Sequence, residues 1–403
     1  MRSVDEHLAV VLDTVRPLAP IEVELERALG AVLAEDVTSP VPLPPFDNSA
    51  MDGYAVRSAD VAHATEETPV VLPVIDDVAA GDGAMYAVGP GLVTRIMTGA
   101  PVPAGADTVV PVEWTDGGTA SVTVRRAAPP GNAIRKAGED VRQGDTVLTA
   151  GTMLGAAQIG ILAGVGRRKV LVRPRPRVVV LSTGAELVEP GNRLGAGQIW
   201  DSNSFMLTAA VQEAGAEGFR AATVTDDPAR FLDQLDAQLL RADAVITSGG
   251  VSMGAYEPVK EALGPLGTVA FERVAMQPGM PQGFGVVGEE RVPLFALPGN
   301  PVSSFVSFIL FVRPALRKMA GLPAGPPAPA AATTPPPLRS PKGKRSFLRV
   351  VLSRSGDGAA VVNPVRGQGS HQLAALASAN AFAVVPEDVT EVPEGRTVEV
   401  IPL

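Results

Sequence analysis

The chain has no cysteine. Disulfides, thiolate zinc sites, iron–sulfur clusters and a cysteine nucleophile are therefore excluded. Histidine is almost as scarce: His7, His63 and His371 are the three imidazoles, and they lie far apart in sequence. That argues against a histidine metal centre or a Ser-His-Asp relay. Any metal is expected to be a hard ion held by Asp and Glu oxygens. Aromatic residues are 4% of the chain against 46% hydrophobic residues in all, so the cores should be built from Val, Leu, Ile and Ala. No apolar run reaches the length of a membrane span. The opening residues lack the basic-then-apolar pattern of a signal peptide, and the expected setting is soluble and cytoplasmic. The formal charge of −9 disfavours nonspecific nucleic-acid binding, which needs a positive field. It leaves open a small anion held in a local pocket.

At 403 residues the chain is expected to hold two to four domains. Val4, Leu8, Val11, Leu12 and Val15 recur at helical spacing. Pro17 and Pro20 break that pattern, and a second amphipathic helical stretch is expected to about Val37. Residues 57–150 are rich in Val, Thr, Gly and Pro, with short alternating runs such as Ser121-Val122-Thr123-Val124, and read as β-rich. Helical character returns over 151–172. From Pro176 to about Gly321, strands and helices alternate, which implies βαβ crossovers and a mostly parallel sheet covered on both faces. Residues 322–341 are proline-rich and read as a semi-extended linker. The remainder reads as a small β domain.

Within the alternating region, three apolar runs end in glycine- or proline-marked turns. Arg177–Ser182 leads into Thr183-Gly184-Ala185-Glu186, Ala244–Thr247 into Ser248-Gly249-Gly250-Val251-Ser252, and Pro293–Leu297 into Pro298-Gly299-Asn300-Pro301. Loops at the carboxyl ends of parallel strands are where open α/β sheets bind ligands. Asn300 suits a helix N-cap and Pro301 the first helical position. The free N–H groups at Val302, Ser303 and Ser304 are then expected to face an anion, although the same residues also serve simply to start a helix. Gly249 and Gly250 let backbone approach a ligand closely, with hydroxyls from Ser248 and Ser252 beside them. The acidic residues near these loops are Glu186, Asp201, Asp226, Asp227 and Glu257. Two or more converging carboxylates would hold Mg²⁺ beside a phosphate, with Glu186, Asp227 and Glu257 as leading candidates. Asp227 also reads as the N-cap of the helix that opens at Pro228. No GxxxxGK[ST] loop or GxGxxG fingerprint occurs in the right context.

Eight segments carry a family likeness: PPFDNSAMDGYAV (44–56), RIMTGAPVPAGADTVVPVE (95–113), NAIRKAGED (132–140), LSTGAELVEPG (181–191), GQIWDSN (197–203), SGGVSMG (248–254), ALPGNPVSSF (296–305) and GSHQLAALASAN (369–380). With these the chain resembles the molybdopterin molybdenumtransferases, the MoeA and gephyrin E-domain family, over nearly its whole length. The resemblance implies an α/β multidomain protein. Its expected parts are a helical, dimerising part from 1–45 with 145–175, a β-rich domain over 46–144, and a molybdopterin-binding α/β domain over 176–325. A linker over 326–341 and a C-terminal β-barrel-like domain over 342–403 complete the chain. It implies a homodimer that inserts molybdate into adenylated molybdopterin with Mg²⁺ present and AMP released, without nucleic acid or membrane.

Residue by residue, the resemblance assigns family functional positions to Asp52, Thr98 and Asp140, to Glu186 and Asp227, and to Pro298 and Pro301. Arg349 and Ser370 match molybdate-site positions. Two departures stand out. Where the family commonly has Lys-Pro-Gly-Lys-Pro, this chain has Gln277-Pro278-Gly279-Met280-Pro281, and after SGGVSMG Glu257 stands in the place of the usual Asp. Two charge-assisted hydrogen bonds of ~1.5–3 kcal/mol each are thereby lost, roughly two to four decades in oxyanion affinity if nothing compensates. Arg273, Arg349 and the helix N-terminus after Asn300 are expected to compensate in part. The alternative is a weakened paralogue that binds or carries the molybdopterin nucleotide as a scaffold.

Overall fold

The computed structural model describes residues 1–221, 227–251, 257–325, 328–356 and 358–403. They form two compact units: Met1–Glu22, Gly30–Ala34 and Leu171–Leu403 make the first, and Val23–Leu29 and Glu35–Val170 the second. Among the described residues, no helix is long and apolar enough to cross a membrane.

The first unit opens with helix α1 (Val4–Thr14), started by a capping box between Ser3 and Glu6. Its central sheet contains β1 (Arg177–Ser182), β2 (Glu217–Arg220), β3 (Ala244–Ser248), β4 (Val269–Arg273), β5 (Pro281–Val287) and β6 (Val292–Leu297). Between them run α2 (Asn203–Glu213), α3 (Pro228–Leu239) and α4 (Pro258–Leu263), and after β6 comes α5 (Pro301–Ser307). The helix of α5 continues through a π-helical turn, Phe308–Val312, into Arg313–Met319. The strand order is β2-β1-β3-β6-β5-β4. β2, β1, β3 and β6 are parallel neighbours, and β5 runs antiparallel to β6 and β4. The mostly parallel sheet is as expected.

Alternation along these strands feeds two cores. Val178, Val180, Ile246 and Phe295 point to one face, where Leu207, Val211, Val306 and Phe311 cover them. Val179, Leu181, Val245 and Leu294 point to the other, under Phe231, Leu235, Val259 and Leu263. The stripe of α1, Val4, Leu8, Val11 and Val15, lies in the first of these cores. Lys318 Nζ donates to Leu12 O at 2.6 Å, and Arg345 clamps Asp5 with two 2.8 Å contacts. Residues 1–22 thus cluster with Leu171–Leu403, whereas 145–170 fall in the other unit. The helix expected up to Val37 is absent. Short strands Ile21–Glu24, Val32–Leu33 and Val37–Thr38 stand there, with one 3₁₀ turn at Leu25–Arg27. Pro20 and Gly30 (φ +76°) punctuate the stretch, and Val32, Leu33 and Val37 bury as strand residues.

The C-terminal barrel is built from β7 (Ala330–Thr333), β8 (Arg345–Arg354), β9 (Ala360–Pro364), β10 (Ala381–Val385) and β11 (Thr397–Pro402). The order β8-β9-β7-β11-β10 closes by the β10–β8 pairing. Part of the expected linker is therefore structural: it supplies β7, which pairs with β9 and β11.

The second unit carries a five-stranded sheet in the order Thr108–Pro111, Gly53–Val56, Val93–Ile96, Val70–Val78, Ser121–Val124. Tyr54, Val56, Val93, Val110 and Val122 fill its core. The helix Ala156–Gly164 falls inside the stretch read as helical.

Candidate active site

β1, β3 and β6 are adjacent and in register: Ser182 lies opposite Ser248, and Ser248 opposite Leu297. Their carboxyl ends therefore share one edge of the sheet, and a cleft of about 680 Å³ opens there. Thr183, Gly184 and Glu186, then Gly249 and Gly250, then Pro298, Gly299, Asn300 and Pro301 line it, with His371 from the C-terminal domain. The three turns singled out in the sequence converge on one site.

The two glycines after β3 are required by the turn itself. Gly249 has φ +96°, and a Cβ there would lie 2.7 Å from Thr183 O. Gly250 has φ +69°, with a Cβ 2.7 Å from Val259 Cγ2. Gly299 has ordinary backbone, and its Cβ would meet Gly249 Cα at 3.6 Å. Between these turns stands Asn203, whose Nδ2 donates to Ser248 Oγ at 2.8 Å and Gly299 O at 2.7 Å. Its Oδ1 is buried without a partner. Ser304 Oγ donates to Pro298 O. Asp201 is buried and accepts from Ser182 Oγ, Ser204 N and Ser204 Oγ at 3.1, 3.0 and 2.6 Å, so its oxygens tie β1 to α2. Asn203 lies within the GQIWDSN segment but is not among the residues that the resemblance assigns. Its bridging role follows from the adjacency of β3 and β6, which the linear chain does not display.

The amide arrangement at Pro301 departs from expectation. Asn300 makes no side-chain cap. Val302 N donates to Ser370 O at 3.1 Å, and Ser304 N to Asn300 O at 3.0 Å. Two of the three N–H groups expected to face an anion are thus satisfied within the protein. Ser303 still lines the cleft.

Of the expected carboxylates, Glu186 and Glu257 line the cleft. Asp227 is not among the lining residues. It caps α3, accepting from Ala229 N at 2.9 Å and Arg230 N at 3.4 Å. Among the described residues, no three His, Asp or Glu side chains converge as a metal cage. Asp226 and Ser252 lie outside the described residues.

Arg349 on β8 is fully buried. Its Nη2 donates to Gly367 O at 2.9 Å and Gly369 O at 3.2 Å, just ahead of Ser370. Its Nε and Nη1 have no partner. Burial pulls the guanidinium below its usual range, the sign of a cation without a counter-charge. Arg273, by contrast, is exposed at the end of β4, with Nη2 3.4 Å from Met280 Sδ, and is not among the lining residues. Gln277 pairs with Ser346 at the edge of the barrel sheet.

The remaining assigned residues lie in the second unit. Asp52 Oδ1 accepts from Thr98 N at 2.7 Å and Thr98 Oγ1 at 2.8 Å. The Thr98 amide, then its hydroxyl, hold the exposed Asp52 carboxyl below the usual carboxylate range. Asp140 sits in a turn against Leu43, to whose carbonyl its amide donates at 3.1 Å. Asp47 holds the neighbouring loop through Lys136 Nζ and Ala137 N, each at 2.8 Å.

Three family models match in succession: the MoeA N-terminal region (domains I and II) over residues 2–166, a probable molybdopterin binding domain over 179–318, and the MoeA C-terminal region (domain IV) over 331–403. A Mycobacterium tuberculosis (H37Rv) relative named molybdopterin molybdenumtransferase 2 is 49% identical over 99% of both chains. The chain belongs to the MoeA family. A second M. tuberculosis relative, molybdopterin molybdenumtransferase 1, is 41% identical over 99% of this chain and 98% of its own. Two crystal structures of molybdopterin biosynthesis MoeA proteins from Pyrococcus horikoshii superpose with TM-scores of 0.79 and 0.77, at 34% and 30% identity. The first covers 99% of this chain and 98% of its own, the second 100% of each. The three strand-end turns fall within the match to the molybdopterin binding domain, and His371 and Arg349 within the match to the MoeA C-terminal region.

Proposed function

We propose that the protein inserts molybdate into adenylated molybdopterin and releases AMP. The observation that carries this reading is Arg349. A buried guanidinium without a carboxylate costs several kcal/mol unless something anionic completes it. Its Nε and Nη1 are buried without partners, so two nitrogens of the cation are left to donate to an oxyanion. Gly369 O holds its third nitrogen, so the cation is anchored on the segment that leads through Ser370 to His371 in the cleft.

The bare backbone of Gly249, Gly250 and Gly299 admits the nucleotide portion of the substrate. Asn203 fixes two of the turns against each other. Mg²⁺ suits Glu186 and Glu257, since it binds through one or two carboxylates together with substrate phosphate oxygens and keeps several waters. When bound, it neutralises phosphate charge. Asp52, held ionised by Thr98, does not supply a proton. A homodimer is part of the proposal, and sedimentation of the purified protein tests it. The carrier reading rests on Gln277 and Met280 and is not favoured, because the oxyanion arginine is kept with two donors unpartnered.

The deciding experiment incubates the purified protein with adenylated molybdopterin, Mg²⁺ and increasing molybdate. AMP release that saturates with molybdate is expected. Intact nucleotide binding without AMP release at any molybdate concentration overturns the enzyme in favour of the carrier.

A further inference from the structure

We infer that the indole face of Trp200 is the platform on which a fused heteroaromatic ring of the substrate stacks. The inference rests on the reading of the strand-end cleft as the nucleotide site, and deepens it by naming the side chain that holds a ring.

The chain has two tryptophans, Trp114 and Trp200. Trp114 is half-buried under Arg126, whose guanidinium carbon lies 4.2 Å from the ring centroid. Trp200 is 51% exposed and lines the cleft. A lone exposed aromatic needs no explanation on an open surface. This one lies on the wall of the strand-end cleft, in a protein that otherwise uses few aromatic residues.

Its setting is rigid. Trp200 belongs to a two-residue strand, Ile199–Trp200, paired in parallel with Leu187–Val188 in the segment between β1 and α2. Ile199 N donates to Glu186 O at 2.8 Å, and Asp201 N to Val188 O at 2.9 Å. Arg220 grips Glu189 of the same segment with contacts of 3.1 and 2.8 Å. The next residue, Asp201, is anchored in the buried network described above. The indole N–H donates to Asn192 O at 3.0 Å. The single polar atom of the ring is therefore satisfied within the protein, and what it offers the cleft is an apolar π-face. Such a face recognises another planar ring and not a phosphate. Adenine is a fused bicyclic heteroaromatic and the pterin carries a planar aminopyrimidinone ring, so either half of the substrate fits this chemistry.

The test uses Trp114→Phe protein, in which Trp200 is the only tryptophan. AMP and neopterin are titrated separately, with binding followed by calorimetry and by indole fluorescence. One of the two probes is expected to quench the emission saturably, and which one does so identifies the stacked ring. Trp200→Ala should weaken that probe about tenfold or more, and Trp200→Phe less. Circular dichroism checks that both variants fold. Binding of either probe without quenching, at an affinity unchanged in Trp200→Ala, overturns the inference while leaving the cleft reading intact. Failure of both probes to bind the unsubstituted protein overturns the cleft reading itself.

Discussion

Arg349 combines two properties that seldom occur together, full burial and an incomplete set of partners. Replacing a buried charge by an apolar residue of similar volume is often neutral or stabilising. Arg349→Met is therefore expected to keep or raise the melting temperature while abolishing saturation by molybdate. A variant that loses stability and keeps its molybdate dependence would show that the arginine is structural. The same charge argument applies to Gln277 and Met280. Gln277→Lys combined with Met280→Lys adds two cations near a site for a dianion, and should tighten apparent molybdate affinity at least tenfold. Unchanged saturation in the double variant would mean that Arg349 and backbone donors already meet the demand.

At the scale of elements, the turns after β1, β3 and β6 govern the cleft, and they are not equally replaceable. Gly249→Val is expected to disturb the turn itself, because of its φ of +96° and the 2.7 Å approach of its Cβ to Thr183 O. It should lower thermal stability together with AMP affinity, whereas Gly299→Ala should leave stability within about 0.5 kcal/mol. Equal melting temperatures for Gly249→Val and the parent would contradict the conformational argument. Asp227 has two readings, and Asp227→Asn separates them. Asparagine caps a helix about as well as aspartate, so stability should hold. Activity should hold too if capping is the residue's whole role, and a hundredfold loss of turnover would assign its carboxylate to the chemistry.

The elements differ in how far the chain announces them. The unbroken runs Val178–Leu181 and Leu294–Leu297 identify strands buried on both faces, and their terminal Gly and Pro mark the turns, so the cleft was legible. Asn203 was not, because its partners Ser248 and Gly299 become neighbours only when β3 and β6 pair. The periodicity of α1 fixes its apolar face but not what that face packs against. In the proline-rich stretch, composition argued for a linker, yet Ala330–Thr333 joins the barrel because strands on both sides supply its hydrogen bonds.

For the whole molecule, acid stability should be limited in part by His7. It is buried edge-on to Phe311 at 4.6 Å between ring centroids. Burial, and then the charge of Arg2, lower its pKa from 6.5 to about 4. Between pH 6.5 and 4 the unfolded chain takes up a proton that the folded one refuses, so stability falls as pH drops through that window. The full effect is on the order of 3 kcal/mol. His7→Phe keeps the ring and removes the titration. The melting transition of the unit that carries α1 should then lose less on going from pH 7 to pH 4.5 than in the parent protein. Parallel pH profiles for the two would contradict the assignment.

The route of the chain also sets an order of events during synthesis. Met1–Glu22 packs with Leu171–Leu403, and most of the intervening sequence forms the other unit. On the ribosome, that inserted unit is complete before its host has a sheet. Helix α1, made before the inserted unit, finds its partners only after β1, α2 and the long helix after β6 have emerged. Closing so long a loop is entropically slow, and until then the apolar stripe Val4, Leu8, Val11 and Val15 stays uncovered and open to chaperones or to self-association. A fusion partner placed at the amino terminus therefore acts on the last step of assembly.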